Sequence, residues 1–164
     1  YAHRMLGAST RSSSLLFAIL GIGCVVGSVA GGWIQNKIGN YFSVIITTVI
    51  GITSLVVIVF IHNVAAVAIS AFLTGFYLIA LVVLMSLFVE KVVGMRRHAK
   101  YWSFMTLAYA GAQFIASYVF SYALNFQFNY QDMFDIGLMV LIISLLCYLF
   151  TRYNVKGKQF DDRL

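Results

Sequence analysis

Residues 31–40 read GGWIQNKIGN. The runs on either side, 14–34 and 41–61, admit almost nothing polar. A Gln, two Asn, a Lys and three Gly therefore collect at the one point between them. A helix crossing a hydrocarbon core about 30 Å thick needs about 20 predominantly apolar residues. Five stretches meet that requirement: 14–34, 41–61, 64–89, 101–124 and 132–150. They do not alternate, and they are about twice the length of a barrel strand, so the spacing predicts helices. GGWIQNKIGN then reads as a tight polar turn between the first two. The expected fold is an all-α membrane protein with five transmembrane helices. Residues 1–13 precede the bundle as an extracytoplasmic loop or the end of a further helix, and residues 151–164 follow it as a tail.

The composition agrees. Hydrophobic residues make up 62% of the 164, and charged residues only 10%, against about 25% in soluble domains. The net charge of +6 does not point to nucleic acid, because the basic residues form no stripe with interleaved aromatics. They fall between the apolar runs, where topology needs them. One side holds Lys37, Lys91, Arg96, Arg97, Lys100, Arg152, Lys156, Lys158 and Arg163; the other holds Arg4 and Arg11. Nine against two predicts a cytoplasmic C-terminus in a multi-pass cell-membrane protein, the inner membrane if the source is bacterial. An outside N-terminus without a signal peptide implies at least one further helix upstream. Cys24 and Cys147 each lie alone within an apolar run, so neither a disulfide framework nor a metal site is signalled, and no cofactor is expected.

Two patterns within the spans bear on function. Gly23, Gly27 and Gly31 recur every four residues and share one helical face, which suits either close helix packing or the wall of a substrate path. In the fourth span Thr106, Tyr109, Gln113, Ser117 and Ser121 form a polar stripe, and Ser70, Thr74 and Tyr77 a shorter one in the third. An amide in hydrocarbon needs a partner or water. The stripe therefore serves interhelical hydrogen bonding or lines a water-filled cavity. Ser43, Thr47, Gly51 and Ser54 read as packing residues of the second span. Asp132 and Asp135 open the fifth, where carboxylates complement the helix dipole.

The opening stretch resembles the signature G-x-x-x-D-R-x-G-R-R of the major facilitator superfamily, a loop that braces the cytoplasmic face and tunes conformational change. Gly32 holds its first position, Asn36 replaces the acid, Lys37 the Arg, and Gly39 is the second glycine. Asn40 and Tyr41 stand where the final basic pair would be. AFLTGFY is similar to the family's R-F-L-x-G, with Ala71 in place of Arg. FVEKVVGMRRHAK is similar to its E-x-x-x-x-x-R, with Glu90 as the acid and Arg96 or Arg97 as the base. A half of this family has six helices and the motif lies between the first two present, so the resemblance implies that the first helix of a half is missing; the eroded loop and Ala71 favour the C-terminal half, helices eight to twelve. TLAYAGAQ also resembles the eleventh helix of a bacterial branch labelled YbfB/YjiJ-like, with Ala116-Ser117 where that branch carries Gly-Pro.

The resemblance implies a secondary transporter that moves a small-molecule substrate by alternating access between two halves. The missing N-terminal half of the same chain would be the partner. The first, third and fourth spans would then face the cavity, with Gln113, Tyr109, Thr106, Ser117, Thr74 and Tyr77 as candidate lining residues. No span interior holds a His, and no Ser has an evident base, so an intramembrane enzyme is not expected. The alternative is a non-transporting membrane subunit or scaffold, favoured by the eroded motif charges.

Overall fold

A computed structural model describes residues 10–61, 63–124 and 129–155. Four helices account for nearly all of them: α1 (Thr10–Phe60), α2 (Val64–Val93), α3 (Met95–Leu124) and α4 (Tyr130–Val155). His62, His3, Arg4 and the tail residues Lys156, Lys158 and Arg163 lie outside the described residues.

The five expected spans form four continuous helical segments, because the first two meet at Gly39 with no loop between them. The first two expected spans belong to α1, 51 residues that would extend about 75 Å if straight. That is more than twice the hydrocarbon thickness. Gly39 breaks it, with φ 78° and ψ 166°, a backbone region open essentially to glycine alone. Helical geometry continues up to it and resumes directly after it. The expected loop of Gly32, Asn36, Lys37 and Gly39 is therefore a one-residue corner, with Gly32, Asn36 and Lys37 on the helix before it.

Gly94 repeats the device. With φ 77° and ψ 158° it ends α2, its N–H donating to the Glu90 carbonyl at 2.9 Å. Its own carbonyl accepts from the N–H groups of Arg97 at 3.1 Å and His98 at 3.0 Å, which starts α3. The expected cytoplasmic loop carrying Glu90, Arg96 and Arg97 is thereby corrected too: these residues lie on the ends of two helices that run on past the apolar stretch. At the opposite end the chain turns between α1 and α2, and Asn63 caps α2 by accepting the Ala66 N–H at 2.7 Å. Asp132 does similar work for α4, accepting the Asn129 N–H at 2.8 Å, as the acid of a capping box does.

The arms of α1 on either side of Gly39 both pack on α2. Along the first arm, Gly23, Gly27 and Gly31 meet Phe72, Phe76 and Ala80, a constant offset of 49 residues that marks parallel helices. A Cβ at Gly23 or Gly27 would collide with the carbonyl oxygens of Phe72 or Phe76, and one at Gly31 would lie 3.1 Å from the Ala80 Cα. Gly75 answers from α2, where a Cβ would strike the Leu20 carbonyl. Backbones this close are how helices associate in lipid, where no hydrophobic force draws them together. The second arm runs antiparallel to α2. A Cβ at Gly51 would lie 2.8 Å from the Tyr77 ring. Ser54 Oγ reaches the Ser70 carbonyl at 2.9 Å and the Thr74 hydroxyl at 2.6 Å. Ser43, Val44, Thr47, Ser54, Ala80 and Leu84 are buried here and form the core.

α4 lies antiparallel along the second arm. Tyr148 stacks on Tyr41 at 5.3 Å, and Gln131 Nε2 donates to the Val59 carbonyl at 2.9 Å. α3 is different: it meets α2 mainly near their shared corner and buries none of its residues. Three stretches are long and apolar enough to cross a membrane, Ser14–Phe60, Val64–Val93 and Tyr130–Phe150. α3 has the length, 30 residues, but its Tyr, Trp, Ser, Thr and Gln residues lower its hydropathy below theirs.

Candidate functional site

The candidate lining residues fall into two groups. Thr106, Tyr109, Gln113 and Ser117 all sit on exposed positions of α3. The Thr106 hydroxyl donates to the Trp102 carbonyl one turn back at 2.9 Å, which satisfies it locally. Tyr109 is half exposed and Phe114, Tyr118 and Tyr122 more so, so this helix presents a polar and aromatic surface along its length. Thr74 and Tyr77 lie on α2 and are half-buried. Thr74 shares its hydroxyl with Ser54, and Tyr77 rests on Gly51. Both side chains thus work in the contact between α2 and the second arm of α1. Gln113 is not enclosed by any of these helices.

The buried amide of this structure is Gln35. It is 2% exposed, and neither Oε1 nor Nε2 has a partner. Thr47 Oγ1 and Asn40 Oδ1 are likewise buried and unpaired. Gln35 continues the four-residue rhythm of Gly23, Gly27 and Gly31 by one more turn. By the same offset it stands level with Leu84, which is fully buried. That rhythm was the signal in the sequence that would have placed it inside.

At the Gly39 and Gly94 corners the charged residues stay at the surface. Asn36 and Lys37 are exposed, and the Lys37 ammonium lies 4.0 Å from the centre of the Trp33 ring, a cation–π contact of about 0.5–1 kcal/mol at such a site. An added Cβ at Gly32 would meet nothing, so only Gly39 of the two motif glycines is required by the backbone here. His98 turns inward at the other corner, with Nε2 3.2 Å from the Ser86 hydroxyl and its ring stacked on Trp102. Among the described residues no group of three His, Cys, Asp or Glu gathers as metal ligands would.

The charged residues of the described helices whose side chains are placed sort by end. Lys37, Glu90, Lys91, Arg96, Arg97 and Lys100 sit at the end with the glycine corners; Asp132 and Asp135 sit at the other. The bundle has helices close-packed through glycine and one helix left polar and uncovered. No curated protein and no solved structure matches the chain. The family model of the Major Facilitator Superfamily, however, matches residues 2–163. That span takes in every helix and both corners, and on it the chain belongs to the Major Facilitator Superfamily.

Proposed function

We propose that the chain forms the cavity-lining part of a secondary transporter that carries a small polar or zwitterionic solute by alternating access, with α3 as a wall of the path. One observation supports this above the others: α3 is a 30-residue helix that buries nothing, yet it carries an amide and several hydroxyls on its surface. Ser103 and Thr106 satisfy their hydroxyls on their own backbone, but lipid cannot satisfy the Gln113 amide. A water-filled path shared with the other half of the transporter can. Gln113 is the residue to test, because an amide both donates and accepts and so suits a polar solute without demanding a charge. With Asn36 in place of the signature's acid and no Asp, Glu or His deep within the described helices, this part supplies no proton relay; any coupling residues lie in the rest of the protein, or the transporter is a facilitator.

The orientation we propose puts the glycine corners and the C-terminus in the cytoplasm and the chain in the cell membrane, as the C-terminal half of its transporter. The charge separation between the two ends supports that direction.

The test is uptake by the full-length protein in proteoliposomes against a panel of sugars, polyols and amino acids. Gln113→Leu is expected to raise the half-saturating concentration of the transported solute about threefold, in keeping with membrane hydrogen bonds that average about 0.6 kcal/mol, at unchanged melting temperature. Unchanged transport with lowered melting temperature would make Gln113 a strut between helices. A protein that moves no solute but co-purifies with a fixed partner would favour the reading as a membrane subunit.

A further inference from the structure

The α2–α3 corner carries an unusual concentration of charge. Lys91, Arg96, Arg97 and Lys100 fall within ten residues, with Glu90 the one carboxylate beside them. All four cations are exposed. Their positions are electrostatically poor for the helix alone. α3 has no acidic residue in its first turn, while Arg96 and Arg97 sit there, at the positive end of a long helix dipole. Arg96 and Lys100 are four residues apart, so like charges face each other along one side. The Gly94 carbonyl takes the N–H groups of Arg97 and His98. The two N–H groups before them belong to the part of the first turn that no helix carbonyl can reach. His98 does not join the cluster, since Ser86 and Trp102 hold its ring inward. That leaves a rigid one-residue corner with its cations turned outward and its dipole adding to them.

We propose that this corner is a docking site for the headgroup of an anionic phospholipid, its phosphate held by Arg96, Arg97 and Lys100 with Lys91 alongside. Charge complementarity selects an anion, and position selects a lipid. Tyr101 and Trp102 follow the cluster directly, as aromatic residues do at the headgroup level, so the cations stand where lipid phosphates lie. Clusters of four or more Lys and Arg just outside a transmembrane helix attract anionic headgroups, each cation strengthening the attraction about fivefold. The proposal rests on the membrane placement of this corner adopted above.

The experiment is native mass spectrometry of the full-length protein from nanodiscs of phosphatidylglycerol and phosphatidylcholine in equal amounts. The wild type is expected to retain phosphatidylglycerol preferentially. The triple variant Arg96→Gln, Arg97→Gln, Lys100→Gln should lose that preference by at least about tenfold. Arg96→Lys with Arg97→Lys should keep most of it, which separates charge from fold. Equal retention of both lipids by the wild type, or an undiminished preference in the Gln variant, would overturn the proposal. So would an equal thermal stabilisation by inorganic phosphate alone, which would mark a site for a soluble anion. Thiol labelling at Met95→Cys reports which side the corner faces, so a failure of the orientation is read separately from a failure of the lipid site.

Discussion

Gln35 and Gln113 divide the polar chemistry of the chain between them. From the sequence, Gln113 reads as an interhelical bond or the wall of a water-filled cavity, and Gln35 as part of a polar turn. Gln35 is instead enclosed without a hydrogen-bond partner, and Gln113 is open. The reason lies one turn away. Helical geometry persists to Gly39, so the face that begins at Gly23 carries Gln35 into the packed interior. A buried amide without a partner is destabilising by about 1–3 kcal/mol, whereas an apolar group of similar shape is nearly neutral or better. Gln35→Leu is therefore expected to raise the melting temperature of the full-length protein in detergent. A fall would show that Gln35 gains an essential partner, such as an ordered water bridging it to Thr47.

Helix identity and pairing were legible to different depths. Apolar length located α1, α2 and α4, because 20-residue apolar runs admit few other structures in lipid, and it marked α3 less strongly. The corners were not legible as corners. Polar residues such as Lys91 and Arg97 read as loop, although charged side chains remain solvated when a helix simply projects beyond the bilayer. Glycine spacing gave the shared face of Gly23, Gly27 and Gly31 but not its partner, since Gly75 on α2 has no matching repeat. The pairing makes a contrast that can be measured. Gly27→Leu drives side-chain atoms against the Phe76 backbone, whereas a Cβ at Gly21 would meet nothing. Overpacking of this kind is destabilising by about 1–3 kcal/mol, so Gly27→Leu should lower thermal stability and expression while Gly21→Leu leaves both near wild type. Equal behaviour of the two variants would mean that the α1–α2 contact is not the one on which the fold depends.

At the scale of the whole molecule the questions are direction and cover. Single cysteines test direction. In an otherwise cysteine-free protein, Met95→Cys, at a position 81% exposed, should be shielded from impermeant thiol reagents added outside intact cells. Asn129→Cys should label. The reverse pattern would invert the bundle. Cover is the matter of α3, whose unburied face, in the function proposed above, meets the rest of the transporter across a shared site. The Gly39 corner carries its own consequence, for register. With one residue between the arms of α1, the two crossings share no slack, so inserting or deleting a residue at Gly39 would turn one arm about its axis and take its packing face off α2.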